Sequence, residues 1–169
     1  MDQIQAYLPS GEKGYLPYYL FVIGIVAMGN SLQNLATLHY TRRIYNGRFV
    51  QNHLQGSANP EDSVNSLKPA SSTGKDSEKG RDQVTPLAAR LFGSYTFLAG
   101  LTRIYASYSV ENASLYQLAL LTHVVAAFHF TSELLVYKTI KFSGPQGFPF
   151  AAAYLGGLWM TLQYGHYVQ

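Results

Sequence analysis

Four stretches of this chain are each about 20 residues long and nearly free of charge, the length an α-helix needs to cross ~30 Å of hydrocarbon. They run roughly over 15–38, 86–108, 115–137 and 148–168. A soluble helical bundle is the competing arrangement, but soluble helices of this length carry a continuous charged face. Tyr15 to Gln33 and Leu91 to Thr102 hold no formal charge. The expected fold is therefore an all-α integral membrane protein, a four-transmembrane-helix bundle forming one domain over residues 1–169. The mean hydropathy of −0.02 hides this, because the charges collect between the apolar blocks. No cleavable signal peptide is expected, since the residues before Tyr15 lack a basic n-region.

The connection between the first two blocks is long and polar. Up to about Leu54 it reads as an extension of the first helix, with Arg42, Arg43, Tyr45 and Arg48 at its edge. From Gln55 to Gln83 it is rich in Ser, Gly, Asn, Asp and Lys and holds no aromatic residue. Such a composition predicts disorder over about 56–82, because it buries too little apolar surface to fold by itself. Its acids, among them Glu61, Asp62 and Asp82, offset most of its positive charge, so it is not a polybasic lipid binder. Nucleic acid is not an expected partner.

Lys and Arg set the orientation. Of the 12, 7 lie between Tyr40 and Val84, and Lys138 and Lys141 lie in the third connection, which must share its side. The opposite side holds only Lys13. The long loop is thus expected in the cytosol and both termini in the lumen. The sequon at Asn112 falls on the luminal side, too close to the membrane for glycosylation to be expected.

Charged and polar groups inside a span normally face the bundle interior and find a partner. The hairpin between the second and third spans turns near Val110 or Glu111. Residues whose numbers sum to about 220 then lie level, since each rises by about 1.5 Å along its helix. This puts Arg90 level with His129 and Glu133, which share a helix face. Asn30, Gln33 and Asn34 of the first span lie at a similar depth, and Arg103 lies level with Gln117. A polar cluster of Asn30, Gln33, Asn34, Arg90, His129 and Glu133 is expected, with Arg90 and Glu133 paired. Three roles are open to it: a structural lock, a docking site for a lipid or partner group, or acid–base catalysis by Glu133 or His129. One His and one Glu are too few for a metal. His123 and His166 receive no role.

Ala89 and Gly93 in the second span, and Ala152, Gly156, Ala153 and Gly157 in the fourth, make small-xxx-small pairs that let helix backbones approach. They predict close packing within the chain, or a homodimer seam on the fourth span. The chain has no cysteine, which excludes disulfides and thiolate metal sites. No phosphate-binding glycine loop, nucleophile elbow or dinucleotide fingerprint occurs, so neither a cofactor nor enzymatic chemistry is expected.

Four stretches carry a family resemblance: Lys13-Gly-Tyr-Leu-Pro17, Ala27-Met-Gly-Asn-Ser-Leu-Gln33, Ala89-Arg-Leu-Phe-Gly-Ser-Tyr-Thr96 and Phe128-His-Phe-Thr-Ser-Glu-Leu-Leu135. Together they resemble the ergosterol biosynthesis protein 28 family, from about Lys13 to Tyr167 with 55–83 as a departing insert. The resemblance implies a multi-pass endoplasmic reticulum protein that acts as a non-catalytic scaffold. It implies as partners the enzymes that remove sterol C-4 methyl groups: a C-4 methyl oxidase, a C-4 decarboxylating 3β-hydroxysteroid dehydrogenase and a 3-keto sterol reductase. The alternative is a sterol-binding or sterol-modifying membrane protein that uses Arg90, His129 and Glu133.

Overall fold

The computed structural model describes residues 7–53, 63, 66–71 and 73–168. The chain is mostly helical. Helix α1 spans Leu16–Ala36 and opens with a proline in its first turn, where a missing N–H costs nothing. Helix α2, His39–Ile44, follows a break at Thr37, whose backbone is extended. The first helix therefore does not run on to Leu54. The Thr37 hydroxyl accepts from the His39 N–H at 3.2 Å and restarts the helix in a new direction.

Strands β1, Phe49–Gln51, and β2, Leu67–Pro69, pair antiparallel, with Val50 opposite Lys68. Helix α3, Lys75–Lys79, follows. The disorder expected over 56–82 is thus corrected at 66–71 and 73–82; residues 56–62, 64, 65 and 72 lie outside the described residues. The ordering force comes from outside the polar segment. Phe49 is buried, and its backbone exchanges hydrogen bonds with Arg81 at 2.7 and 2.9 Å. The Arg48 guanidinium donates twice to the Gly80 carbonyl, at 3.0 and 2.6 Å.

Helix α4 spans Pro86–Tyr108 and helix α5 spans Ala113–Leu135. Each starts on a side-chain cap that satisfies an orphan N–H. Thr85 Oγ1 accepts from Ala88 N at 3.1 Å, and Asn112 Oδ1 accepts from Leu115 N at 3.1 Å. Helix α6, Gly147–Leu162, stops short of the continuous span expected to residue 168. The chain turns at Gln163 and ends in the short α7, Tyr164–Tyr167. By length and composition, α1 and α5 are apolar enough to cross a membrane.

Helices α1 and α4 pack antiparallel along a seam of small residues. A Cβ on Gly24 would meet the Gly100 carbonyl at 2.9 Å, and one on Gly93 would meet the Asn34 Cβ at 3.2 Å. Ala89 is fully buried. Two apolar clusters cap the bundle. One, at the end that holds the chain termini, gathers Leu16, Leu20, Tyr116 and Met160. There Tyr116 donates to the Met160 carbonyl at 2.7 Å, and the Tyr167 hydroxyl accepts from Leu16 N at 3.4 Å. The other, at the loop end, gathers Ile44, Phe130, Ile140 and Ala153.

Candidate functional site

A cavity of about 480 Å³ lies at the loop end, between α4 and α5. Its apolar wall comes from Ala88, Leu91, Phe92 and Val125. Its polar end comes from Tyr45, His129, Glu133 and Thr139. Volumes of this order suit a small ligand. Two backbone features position the polar end. Gly47 runs so close to the segment after α5 that a Cβ there would meet the Thr139 carbonyl at 2.8 Å. The Gly47 N–H donates to that same carbonyl at 2.7 Å. Only glycine fits this approach, and it swings Tyr45 over α5.

The Tyr45 hydroxyl and His129 Nε2 are 2.6 Å apart. Burial, then the Glu133 carboxylate and the Tyr95 phenol, hold Tyr45 well above the usual phenol range. Tyr45 therefore stays a neutral phenol, and the direction of its bond to Nε2 follows the tautomer of His129. Phe92 stacks on the His129 ring with centroids 6.3 Å apart and receives the edge of Tyr45 at 5.4 Å. Glu133 Oε2 accepts from the Thr139 hydroxyl. Tyr95 contributes to the walls of this cavity and of a smaller one, while its hydroxyl is shut off from water-sized space and has no hydrogen-bond partner.

The expected polar cluster does not form as one group. His129 and Glu133 meet at the cavity, but Arg90 is exposed, and among the described residues it forms no ion pair with Glu133. Ala89 and Gly93 face α1, so Arg90, about 100° further round the helix, points away from α5. Gln33 is exposed as well. Asn34 is buried and accepts from the Thr41 hydroxyl at 2.8 Å, tying α1 to α2. Asn30 lines a second, smaller cavity with Tyr95 and Arg103, and its Oδ1 is buried without a partner.

A second polar group, nearer mid-helix, has no counterpart in the sequence reading. Arg103 is buried, and its Nε donates to Thr122 Oγ1 at 2.9 Å. His123 is fully buried; its Nδ1 lies 2.9 Å from the Ala119 carbonyl, and its Nε2 3.3 Å from the Tyr19 hydroxyl. Tyr19 donates to the Ala152 carbonyl at 3.0 Å. The available signal was the spacing of Ala119 and His123, one helical turn apart, which suits a ring N–H to the i−4 carbonyl. The small residues of α6 are used here. A Cβ on Gly156 would strike the Tyr19 hydroxyl and meet His123 Cδ2 at 2.8 Å, and one on Gly157 would touch His123 Cβ at 3.4 Å. Ala153 is buried in the loop-end core. Ala153 and Gly156 thus pack inside the chain, while Ala152 and Gly157 are half-buried. Among the described residues no group of three His, Asp or Glu could hold a metal ion.

The family described as Erg28 like protein matches residues 16–158. Similar proteins share nearly the whole chain. The ergosterol biosynthetic protein 28 of Gibberella zeae is 47% identical, covering 100% of this chain and 99% of that protein. The protein of the same name from Candida albicans is 30% identical, covering 99% of each chain. That from Saccharomyces cerevisiae is 29% identical, covering 95% of this chain and 87% of its own. No solved structure matches. With a family match across most of its length and an end-to-end relative at 47% identity, the chain belongs to the Erg28 family.

Proposed function

We propose that this chain is a non-catalytic scaffold of ergosterol biosynthesis that crosses the endoplasmic reticulum membrane four times. In this reading α1, α4, α5 and α6 are the spans, the connection holding β1 and β2 lies in the cytosol, and both termini lie in the lumen. The scaffold holds the C-4 methyl oxidase, the C-4 decarboxylating 3β-hydroxysteroid dehydrogenase and the 3-keto sterol reductase side by side. The observation that carries the reading is the outward face of the bundle. Val22, Leu32, Leu98, Phe128, Leu155 and Leu162 are all exposed, on four different helices. Apolar surface on every helix requires lipid or partner helices around it. The names of the relatives supply the pathway.

The test is affinity isolation of the full chain from microsomes in mild detergent. Co-isolation of all three enzymes is expected, with loss on replacing α6 by an unrelated span. Turnover of a 4-methylsterol by the purified chain alone would overturn the reading.

A further inference from the structure

The geometry points to the α4–α5 cavity as a binding site for a sterol alcohol, entered sideways from the membrane, with its hydroxyl held beside Glu133 and Tyr45. The charge of the lining selects the ligand class first. Among its described residues there is no Lys or Arg, and Glu133 brings a carboxylate. Anionic headgroups would meet repulsion and no counter-charge, which disfavours anionic phospholipids and fatty acids. A neutral hydroxyl fits. It can donate to Glu133, whose Oε2 already takes one bond from Thr139. It can accept from the Tyr45 hydroxyl when His129 Nε2–H donates to that phenol.

The shape selects the body. The polar end sits where the helices meet the loop, beside Gly47 and Thr139. The apolar part follows α5 from Glu133 back to Val125, a rise of about 12 Å. A membrane alcohol would thus keep its hydroxyl at the interface and its body in the hydrocarbon. The run is short, and the rings of Phe92 and Tyr95 form part of its wall. A compact, rigid polycycle suits it better than a long flexible chain. Leu91 and Val125 are 62% and 48% exposed, so the wall is open toward lipid. The choice of a sterol among neutral alcohols, and lipid at the cavity mouth, rest on the reading above; the open cavity and its polar end do not.

The test places the full chain in phosphatidylcholine nanodiscs with one of three photoactivatable probes: a 3β-hydroxysterol, its 3-O-methyl ether, or a phosphatidylcholine. The hydroxysterol is expected to label residues between 88 and 95 and between 125 and 133, and unlabelled hydroxysterol to compete. Labelling by the ether should be at least fivefold weaker. Ala88→Phe or Leu91→Trp, which fill the cavity from its open side, should cut sterol labelling at least tenfold with an unchanged melting temperature. Phe128→Leu, outside the cavity, should leave it intact. Equal labelling by phosphatidylcholine, equal labelling by the ether, or labelling unaffected by both filling variants would each overturn the site. Co-isolation of the three enzymes is scored on the same wild-type preparation. Enzymes present without sterol labelling would overturn the site alone, and labelling without the enzymes would overturn the scaffold alone.

Discussion

Arg90 and Arg103 look alike in the sequence, each a single cation in an otherwise uncharged stretch, yet the fold treats them differently. Arg90 is exposed near the start of α4, whereas Arg103 is buried and bonded to Thr122. Arg90→Gln should therefore change stability by no more than about 0.5 kcal/mol, the usual range for a surface substitution. Arg103→Met should cost about 1–3 kcal/mol, since it removes a charged hydrogen bond and leaves its buried partners unpaired. Thermal unfolding of both variants in detergent checks the contrast, and equal losses would show that depth alone governs these cations. Gly156→Ala belongs with Arg103. Its methyl would strike Tyr19 and His123, and overpacking of this kind costs about 1–3 kcal/mol. The sequence conveyed that His129 and Glu133, four positions apart, share a face of α5. It could not convey azimuth, because the rotation of α4 is fixed by Gly93 and Ala89 against α1, a contact between segments more than 50 positions apart.

The helices themselves were readily legible. Expected boundaries of 86–108 and 115–137 stand beside α4 at Pro86–Tyr108 and α5 at Ala113–Leu135, because long apolar blocks between charged connections are a strong sequence signal. The polar connection was not legible, for a physical reason. Its order does not come from a core of its own but from Phe49, which lies before the polar window and pairs with both Pro69 and Arg81. Composition within a window cannot see an anchor outside it. Phe49→Ala should consequently cost about 3–5 kcal/mol and release β2 and α3, seen as loss of hydrogen-exchange protection at Ala70 and Arg81, whose N–H groups donate into this unit. A second tie, at the opposite end, is electrostatic. Lys13 meets Glu111 at 3.2 Å, joining the segment before α1 to the α4–α5 turn. The Glu111 carboxyl is held below its ordinary value, first by its own backbone N–H and then by Lys13. A depressed carboxyl pKa means the tie is present above the ordinary Glu range and is lost as pH falls through the lower folded value. Exchange protection in the turn should weaken over that acidic window and not between neutral pH and pH 6. Both groups are exposed, so global stability should barely respond.

At the scale of the whole molecule, the open matter is which helices cross the membrane. Helices α1 and α5 qualify by length and composition, while α4 carries two arginines and α6 is only 16 residues long. Two crossings and four crossings put both termini in the same compartment, so tagging the termini does not separate them. The turn between α4 and α5, and the segment after α5, do separate them. With four spans the turn at Glu111 is luminal and Lys141 is cytosolic; with only α1 and α5 crossing, the two exchange sides. The chain contains no cysteine, so a single introduced thiol is a unique reporter. In sealed microsomes with the cytosolic face outward, a membrane-impermeant maleimide is expected to label Lys141→Cys at once. Glu111→Cys should be labelled only after permeabilisation. The reverse pattern would leave α4 and α6 outside the bilayer. That outcome is disfavoured by energetics. Residues such as Leu91, Leu98, Tyr154, Leu155 and Leu162 would then face water, at about 25 cal/mol for each Å² of apolar surface left unburied. The positive-inside tendency points the same way, because Lys138 and Lys141 follow α5 while Lys13 precedes α1.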